Sequence, residues 1–176
     1  DGLAFYGNFM DQPALFLLSG LPGAGKTTFA QQLCSRTGAE HVESDAIRRG
    51  IAPEPRYTPR ESGIVFALAE RRVRAAIAGG RSVVLDATNL TNRDRRRFVR
   101  AAAEMEATLI AIRVVAPEEV IRERLSGPRA GHSQAGVAVF EAMRGRPQPF
   151  PSPVLTVDTR FPIAPAVSLA IRLAGG

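Results

Sequence analysis

Lysine occurs once in this 176-residue chain, cysteine once, histidine and tyrosine twice each, and tryptophan not at all. A single cysteine, Cys34, excludes an internal disulfide, and at its place in a helical pattern it reads as a small core residue. His41 and His132 lack metal-ligand spacing, so no role is assigned to either. With no Trp and two Tyr there is no aromatic platform of the kind that stacks single-stranded bases. No apolar run approaches the ~20 residues of a membrane span, and no secretory pattern opens the chain. These absences fit one globular domain in a reducing, cytoplasmic setting with no membrane partner.

Arginine, in contrast, is abundant. The 23 basic residues against 17 acidic ones give a net charge of +6, and all but Lys26 are arginine. A basic balance favours anionic partners, nucleotides or nucleic acid, without choosing between them. The one lysine sits in the most informative stretch. Ala14–Leu18 is a short apolar run, Ser19–Thr28 is a glycine-bearing loop, and helix-forming residues follow. Gly20, Gly25, Lys26 and Thr27 satisfy the phosphate-loop pattern of two glycines followed by Lys and Ser/Thr, in the required strand-before, helix-after context.

The residue types follow from the chemistry. Glycines at 20, 23 and 25 let successive N–H groups point into one concavity, with the positive end of a helix dipole behind them. Gly20, Gly23, Ala24, Gly25, Lys26, Thr27 and Thr28 are therefore the predicted nucleotide-phosphate contacts. Lys26 can bridge the β- and γ-phosphates, and the Thr27 hydroxyl is placed to ligate Mg²⁺.

Along the chain, residues 1–13 lack periodicity and read as an extension or linker, although Phe5, Tyr6 and Phe9 could pack on the domain. A start at Asp1 is compatible with a piece of a larger protein. The periodicities predict helices over Lys26–Arg36, Arg60–Ala78, Asn92–Met105, Pro117–Leu125, Ala135–Arg144 and Pro165–Leu173. They predict strands over Ala14–Leu18, Glu40–Ser44, Ser82–Leu85, Thr108–Val115 and Val154–Val157. In the long second helix, Ile64, Phe66, Ala67, Leu68, Val73 and Ile77 are assigned to the core side. Strands alternating with helices imply an α/β fold of three layers, with a parallel sheet between helices. Residues 14–176 are expected to form one domain, with a lid at about 122–144.

Ligands in such sheets lie beyond the carboxyl ends of the strands. Three polar clusters are predicted there: Ser44-Asp45 with Arg48, Asp86-Ala87-Thr88-Asn89, and Val157-Asp158-Thr159. Asp86 has the place of an acid that holds Mg²⁺ directly or through water, or else of a structural partner. Asp45 can take a proton from an acceptor hydroxyl, or simply cap a helix starting at Ala46. Arg48, one turn on, can hold an anionic group of that acceptor. Arg122, Arg124 and Arg129 straddle a glycine-containing segment, as expected of a lid that lays guanidinium groups on a transferring phosphoryl; the alternative is a solvated helix face.

Gly20-Leu21-Pro22-Gly23-Ala24-Gly25-Lys26-Thr27-Thr28, Ser44-Asp45-x-x-Arg48, Asp86-Ala87-Thr88-Asn89-Leu90 and Phe140-Glu141-Ala142-Met143-Arg144, in this order, resemble the P-loop kinases related to polynucleotide 5′-hydroxyl kinase. The likeness runs from Ala14 to about Thr159. It implies the strand order 2-3-1-4-5, Mg-ATP as donor, and a small helical lid. It also implies Asp45 as general base, Arg48 on the acceptor-side phosphate, Thr88 and Asn89 lining the acceptor site, and Arg124 and Arg129 as lid arginines. Some relatives of this type carry a second acid before Thr-Asn that orients the acceptor-binding arginine; that place is Ala87 here. The leading expectation is a kinase acting on a polynucleotide or nucleotide 5′-hydroxyl. The alternatives are a small-molecule kinase, a metabolite or antibiotic hydroxyl serving as acceptor, and a nucleotide-gated ATPase or binding module. A basic groove leading to Arg48 would favour a polynucleotide, and a closed small pocket a small molecule.

Overall fold

The computed structural model describes residues 12–127, 136–150 and 153–175. Five parallel strands form one sheet in the order β2-β3-β1-β4-β5, with β1 Ala14–Ser19, β2 Glu40–Glu43, β3 Val83–Asp86, β4 Thr108–Val115 and β5 Leu155–Asp158. This is the expected order. The helices are α1 Lys26–Thr37, α2 Ser44–Ile51, α3 Pro59–Ala78, α4 Asn92–Glu104, α5 Glu118–Ser126, α6 Val137–Met143 and α7 Ala164–Leu173.

All six residues of β1 are buried because the strand is central and covered on both faces. Successive side chains of a strand point to opposite faces. Ala14, Phe16 and Leu18 therefore join a core with Phe29 and Leu33 of α1 and Val167 of α7. Leu15 and Leu17 join a second core with Val65, Ala69 and Val73 of α3 and Phe98 of α4. A one-residue slip of β1 would exchange the two sets.

The helix ends have local causes. Gly38 closes α1 in a left-handed conformation, its N–H donating to the Cys34 carbonyl at 2.8 Å. Thr58 caps α3 by accepting from the Glu61 N–H, with Pro59 in the first turn. Thr91 and Asp94 form a reciprocal capping box at α4.

Several expectations are corrected. β2 ends at Glu43, and the helix begins at Ser44, so Asp45 lies within its first turn instead of capping it. In α3 the buried stripe is Val65, Ala69, Val73, Ala76 and Ile77, whereas Ile64 is 47% exposed. The apolar run from Ile64 to Leu68 allows two phases, and packing against β3 and α4 selects the one through Val65. Residues 1–11, which include Phe5, Tyr6 and Phe9, and residues 128–135, which include Arg129 and His132, lie outside the described residues.

Buried Arg95 of α4 secures the chain returning from α6 to β5. Its guanidinium donates to Asn92 Oδ1 and to the carbonyls of Gln148 and Pro149, and lies 4.0 Å from the Phe150 ring centroid. No helix among the described residues is long and apolar enough to cross a membrane.

Candidate active site

The phosphate loop springs from the carboxyl end of β1 and is tied to the turn after β3. The Gly20 N–H donates to the Thr88 carbonyl at 3.0 Å, and the Ser19 hydroxyl donates to the Asn89 carbonyl at 2.9 Å. Asn89, at φ 42°, completes the tie by donating its side-chain amide to the Leu18 carbonyl at 2.8 Å. Asn takes this left-handed turn more readily than most residues. Gly20 and Gly25 show why glycine is needed in the loop. A Cβ at Gly20 would stand 2.3 Å from the Val114 carbonyl oxygen, and Gly25 sits at φ +101° against Thr159.

Lys26 is folded back on the loop, its Nζ donating to the Leu21 carbonyl at 3.0 Å. Burial lowers its pKa from the ordinary lysine value, while Asp86 and Asp45 oppose that shift. Thr27 donates its hydroxyl to Asp86 Oδ2 at 2.8 Å. The hydroxyl of α1 and the carboxylate of β3 are thus adjacent, hard oxygen donors suited to Mg²⁺ with phosphate oxygens and water completing the shell. Among the described residues no group of three or more His, Cys, Asp or Glu forms a self-sufficient metal site.

Beside this pair a narrow cleft is lined by Glu43, Ser44, Asp45, Tyr57, Thr88 and Met143, with an open volume of about 40 Å³. Parallel pairing of β2 with β3 puts Glu43 and Asp86 in register at the ends of neighbouring strands. The first turn of α2 carries Asp45 into the same cleft. Asp45, Asp86, Thr88, Lys26 and Thr27, inferred from separate stretches of sequence, are therefore brought together.

Arg48 and Asn89 are not brought to the cleft surface. Arg48 is 6% exposed; its guanidinium bonds Glu61 of α3 and, at 3.4 Å, Ser62, and stacks 4.5 Å from the Tyr57 ring centroid. Glu61 also accepts from the backbone N–H groups of Arg56 and Tyr57, and these bonds, the Arg48 bond first, hold its carboxyl below the usual range. The carboxylate that Arg48 bonds comes from Glu61 of α3; Ala87 after β3 is buried. Asn89 is fully buried and its amide serves the β1 carbonyl, so its position is that of a turn-forming residue and not of an acceptor-lining one.

On the opposite side of the loop, Arg124 of α5 donates to the carbonyls of Gly23 and Ala24 and to both the hydroxyl and the carbonyl of Thr159. Thr159 in turn donates to the Ala24 carbonyl at 2.7 Å. A second opening there is lined by Gly25, Thr28, Arg124, Thr159, Phe161 and Pro162. Phe161 is 63% exposed beside it. Arg124 thus lines this opening and is not among the residues lining the cleft that holds Asp45. Arg122 also faces elsewhere: it pairs with Glu118 and Glu141 and lies over the Phe140 ring.

His41 of β2 was missed by sequence reasoning. Its Nε2 lies 3.2 Å from Asp86 Oδ2, and that hydrogen bond raises the imidazole pKa against the lowering effect of burial. The metal-spacing criterion could not find it, because its partner is one strand away. Glu43 was missed too, although its position directly before Ser44-Asp45 at a strand end was a usable signal.

A family model described as an AAA domain matches residues 15–150. The chain belongs to the AAA domain family. The sequence is 27% identical over 144 residues to an uncharacterized protein of Mycobacterium tuberculosis, covering 75% of this chain and 29% of that protein. It is 25% identical over 112 residues to the L-seryl-tRNA(Sec) kinase of Methanococcus maripaludis, covering 62% of this chain and 44% of the kinase. The chain thus spans under a third to under a half of the length of these curated relatives. Among solved structures, the Mycobacterium tuberculosis APS kinase in complex with AMPPNP and APS superposes with a TM-score of 0.74 at 15% identity, covering 94% of this chain and 99% of that one. The AAA domain described here has the fold of the P-loop kinases.

Proposed function

We propose that the protein is a phosphotransferase that moves the γ-phosphoryl of Mg-ATP to an acceptor hydroxyl. The observation that carries this reading is the convergence of Lys26, Thr27, Asp86 and Asp45 on one cleft at the phosphate loop. A nucleotide-gated binding module needs the first three, but it has no use for a carboxylate across the cleft.

In this reading the loop backbone and Lys26 hold the β- and γ-phosphates, and the opening formed by Thr28, Arg124, Thr159 and Phe161 takes the nucleoside end. Thr27 and Asp86 would hold Mg²⁺, which supplies charge neutralisation on the phosphate oxygens. Asp45 accepts the proton of the acceptor hydroxyl as its oxygen bonds to the γ-phosphorus. The bond to the β–γ bridging oxygen breaks, and ADP leaves with that electron pair. Lid residues around 122–144, Arg129 among them, would close over the reacting groups and exclude water.

The sequence resemblance favours a polynucleotide or nucleotide 5′-hydroxyl as acceptor. One observation favours a small molecule instead: Arg48 is engaged by Glu61, Ser62 and Tyr57.

The test is transfer of labelled γ-phosphate from Mg-ATP to a panel of 5′-hydroxyl oligonucleotides, nucleosides, sugars and amino sugars, with Lys26→Ala as control. Asp45→Asn should leave ATP affinity nearly intact and reduce transfer by roughly 10²-fold or more. Equal transfer by Asp45→Asn and the unaltered protein would remove Asp45 as base. Release of free phosphate with no acceptor labelled would favour the nucleotide-gated module.

A further inference from the structure

We propose that the cavity between the phosphate loop, the end of β4 and the chain at 147–149 is a second binding site, which takes a small monocarboxylate with an apolar body. The proposal goes beyond the phosphotransferase reading and stands without it.

The cavity has a volume of about 230 Å³. Its lining and that of the cleft holding Asp45 and Asp86 have no residue in common. The chain at 147–149 is fixed as one wall. The Gln148 N–H donates to the Leu90 carbonyl at 2.8 Å, and Gln148 Oε1 accepts from the Asn92 N–H at 2.7 Å. Such a wall is in place before any ligand arrives, as in most small-molecule sites. Leu21, Ala24, Leu90, Val115, Ile121 and Pro147 make much of the lining apolar. A cavity of ~150 Å³ holds benzene, so this larger one has room for roughly nine non-hydrogen atoms.

Two arginines supply the charge. Arg95 is 3% exposed and lines the cavity, yet its hydrogen-bond partners are neutral oxygens: Asn92 Oδ1 and the carbonyls of Gln148 and Pro149. All three bonds come from Nη2, and the buried Nε has no hydrogen-bond partner among the described residues. Burial pushes the pKa of Arg95 below the ordinary arginine value, with Asp94 opposing the shift. A buried cation bonded to neutral groups alone is costly, and an anion brought beside it offsets that cost.

Arg113 is the second. Ile112 and Val114 of β4 belong to the core built with α1, so alternation turns Arg113 to the opposite face of the sheet, the one that α4 covers. There it lines the same cavity as Arg95, is exposed, and donates to the Thr156 hydroxyl at 3.3 Å. A planar guanidinium presents paired N–H groups that match the two oxygens of a carboxylate. A phosphate monoester fits less well, because its second charge is costlier to desolvate against an apolar lining. A neutral ligand leaves Arg95 uncompensated.

The experiment is a ligand-observed NMR titration with benzoate, phenylacetate and 4-methylpentanoate, each beside its amide, and with phenyl phosphate. It is run on the protein alone and with magnesium and a non-hydrolysable ATP analogue, added to occupy the phosphate loop as a rival anion site. The expected result is binding of at least one carboxylate in both states, about tenfold or more tighter than its amide and than phenyl phosphate. Arg113→Gln removes an exposed charge and should weaken that carboxylate about tenfold while its amide changes little; Arg113→Lys should restore part of the loss. Ala116→Leu, which takes up space at the end of β4, should weaken carboxylate and amide alike. The two positions alter different walls, so a variant that folds poorly leaves the other as the test. Equal affinity for carboxylate and amide, tighter binding of phenyl phosphate, or binding abolished by the ATP analogue would each overturn the inference, as would the failure of every carboxylate to bind. No outcome depends on phosphoryl transfer, so failure of this inference and failure of the phosphotransferase reading are told apart.

Discussion

Thr27 Oγ1 donates to Asp86 Oδ2 at 2.8 Å, and the same carboxylate oxygen lies 3.2 Å from His41 Nε2. One oxygen thus joins the first turn of α1 to the ends of β3 and β2. Asp86→Asn keeps the shape but weakens the oxygen as a metal ligand. The Mg²⁺ concentration needed for half-maximal ATP turnover should rise roughly 10- to 100-fold, as for other altered metal-site partners. A magnesium titration of the variant measures this; an unchanged midpoint would remove Asp86 from the metal site.

Glu61→Gln should destabilise the protein by about 1–3 kcal/mol, because Arg48 keeps its burial and loses its charged partner. The pH dependence has a definite sign. Since the folded pKa of Glu61 lies below the ordinary value of ~4.3, its stabilisation is complete above that pH and fades as pH falls through the lowered folded pKa. Urea unfolding of both proteins at pH 7 and at successively lower pH should show the gap between them closing only in the acid range.

Arg124→Ala should act on nucleotide binding more than on transfer. The guanidinium ties Gly23, Ala24 and Thr159 together beside the opening lined by Gly25 and Thr28. Loosening of the loop that would hold the nucleotide should raise KM for ATP by roughly tenfold, the equivalent of ~1.4 kcal/mol of binding. A kcat that falls while KM stays constant would instead put Arg124 on the transferring phosphoryl.

Cys34 should be nearly inert in the native protein. Burial is the larger cause, and Asp86 the smaller, of a thiol pKa pushed up to about 12. Against a free thiol near ~8.5, the thiolate fraction at pH 8 falls by roughly 10³-fold. Iodoacetamide labelling followed by mass spectrometry should be slow in buffer and rapid in guanidinium chloride; equal rates would contradict this environment.

Much of the fold was legible because its signals are local. The alternation of β1 names both cores, the phosphate loop must follow a strand and open a helix, and Thr58-Pro59 and Thr91-Asp94 announce helix starts. The stripe of α3 was misread because Ile64 to Leu68 supplies apolar residues in more than one helical phase, and only the neighbouring layer chooses. Asn89 was misread for a related reason: a polar residue after a strand looks exposed, while here its amide serves a carbonyl of another strand.

The sequence by itself determined the phosphate loop between a strand and a helix, the α/β class and the placement of Asp86 at a strand end, since each depends on residues a few positions apart. Only the tertiary structure decided what those residues meet. Arg48 finds Glu61 13 positions away, Arg124 finds Thr159 35 away, and His41 finds Asp86 45 away. Such pairings depend on strand order and helix rotation. The packing of two apolar cores sets both, and no local pattern encodes them.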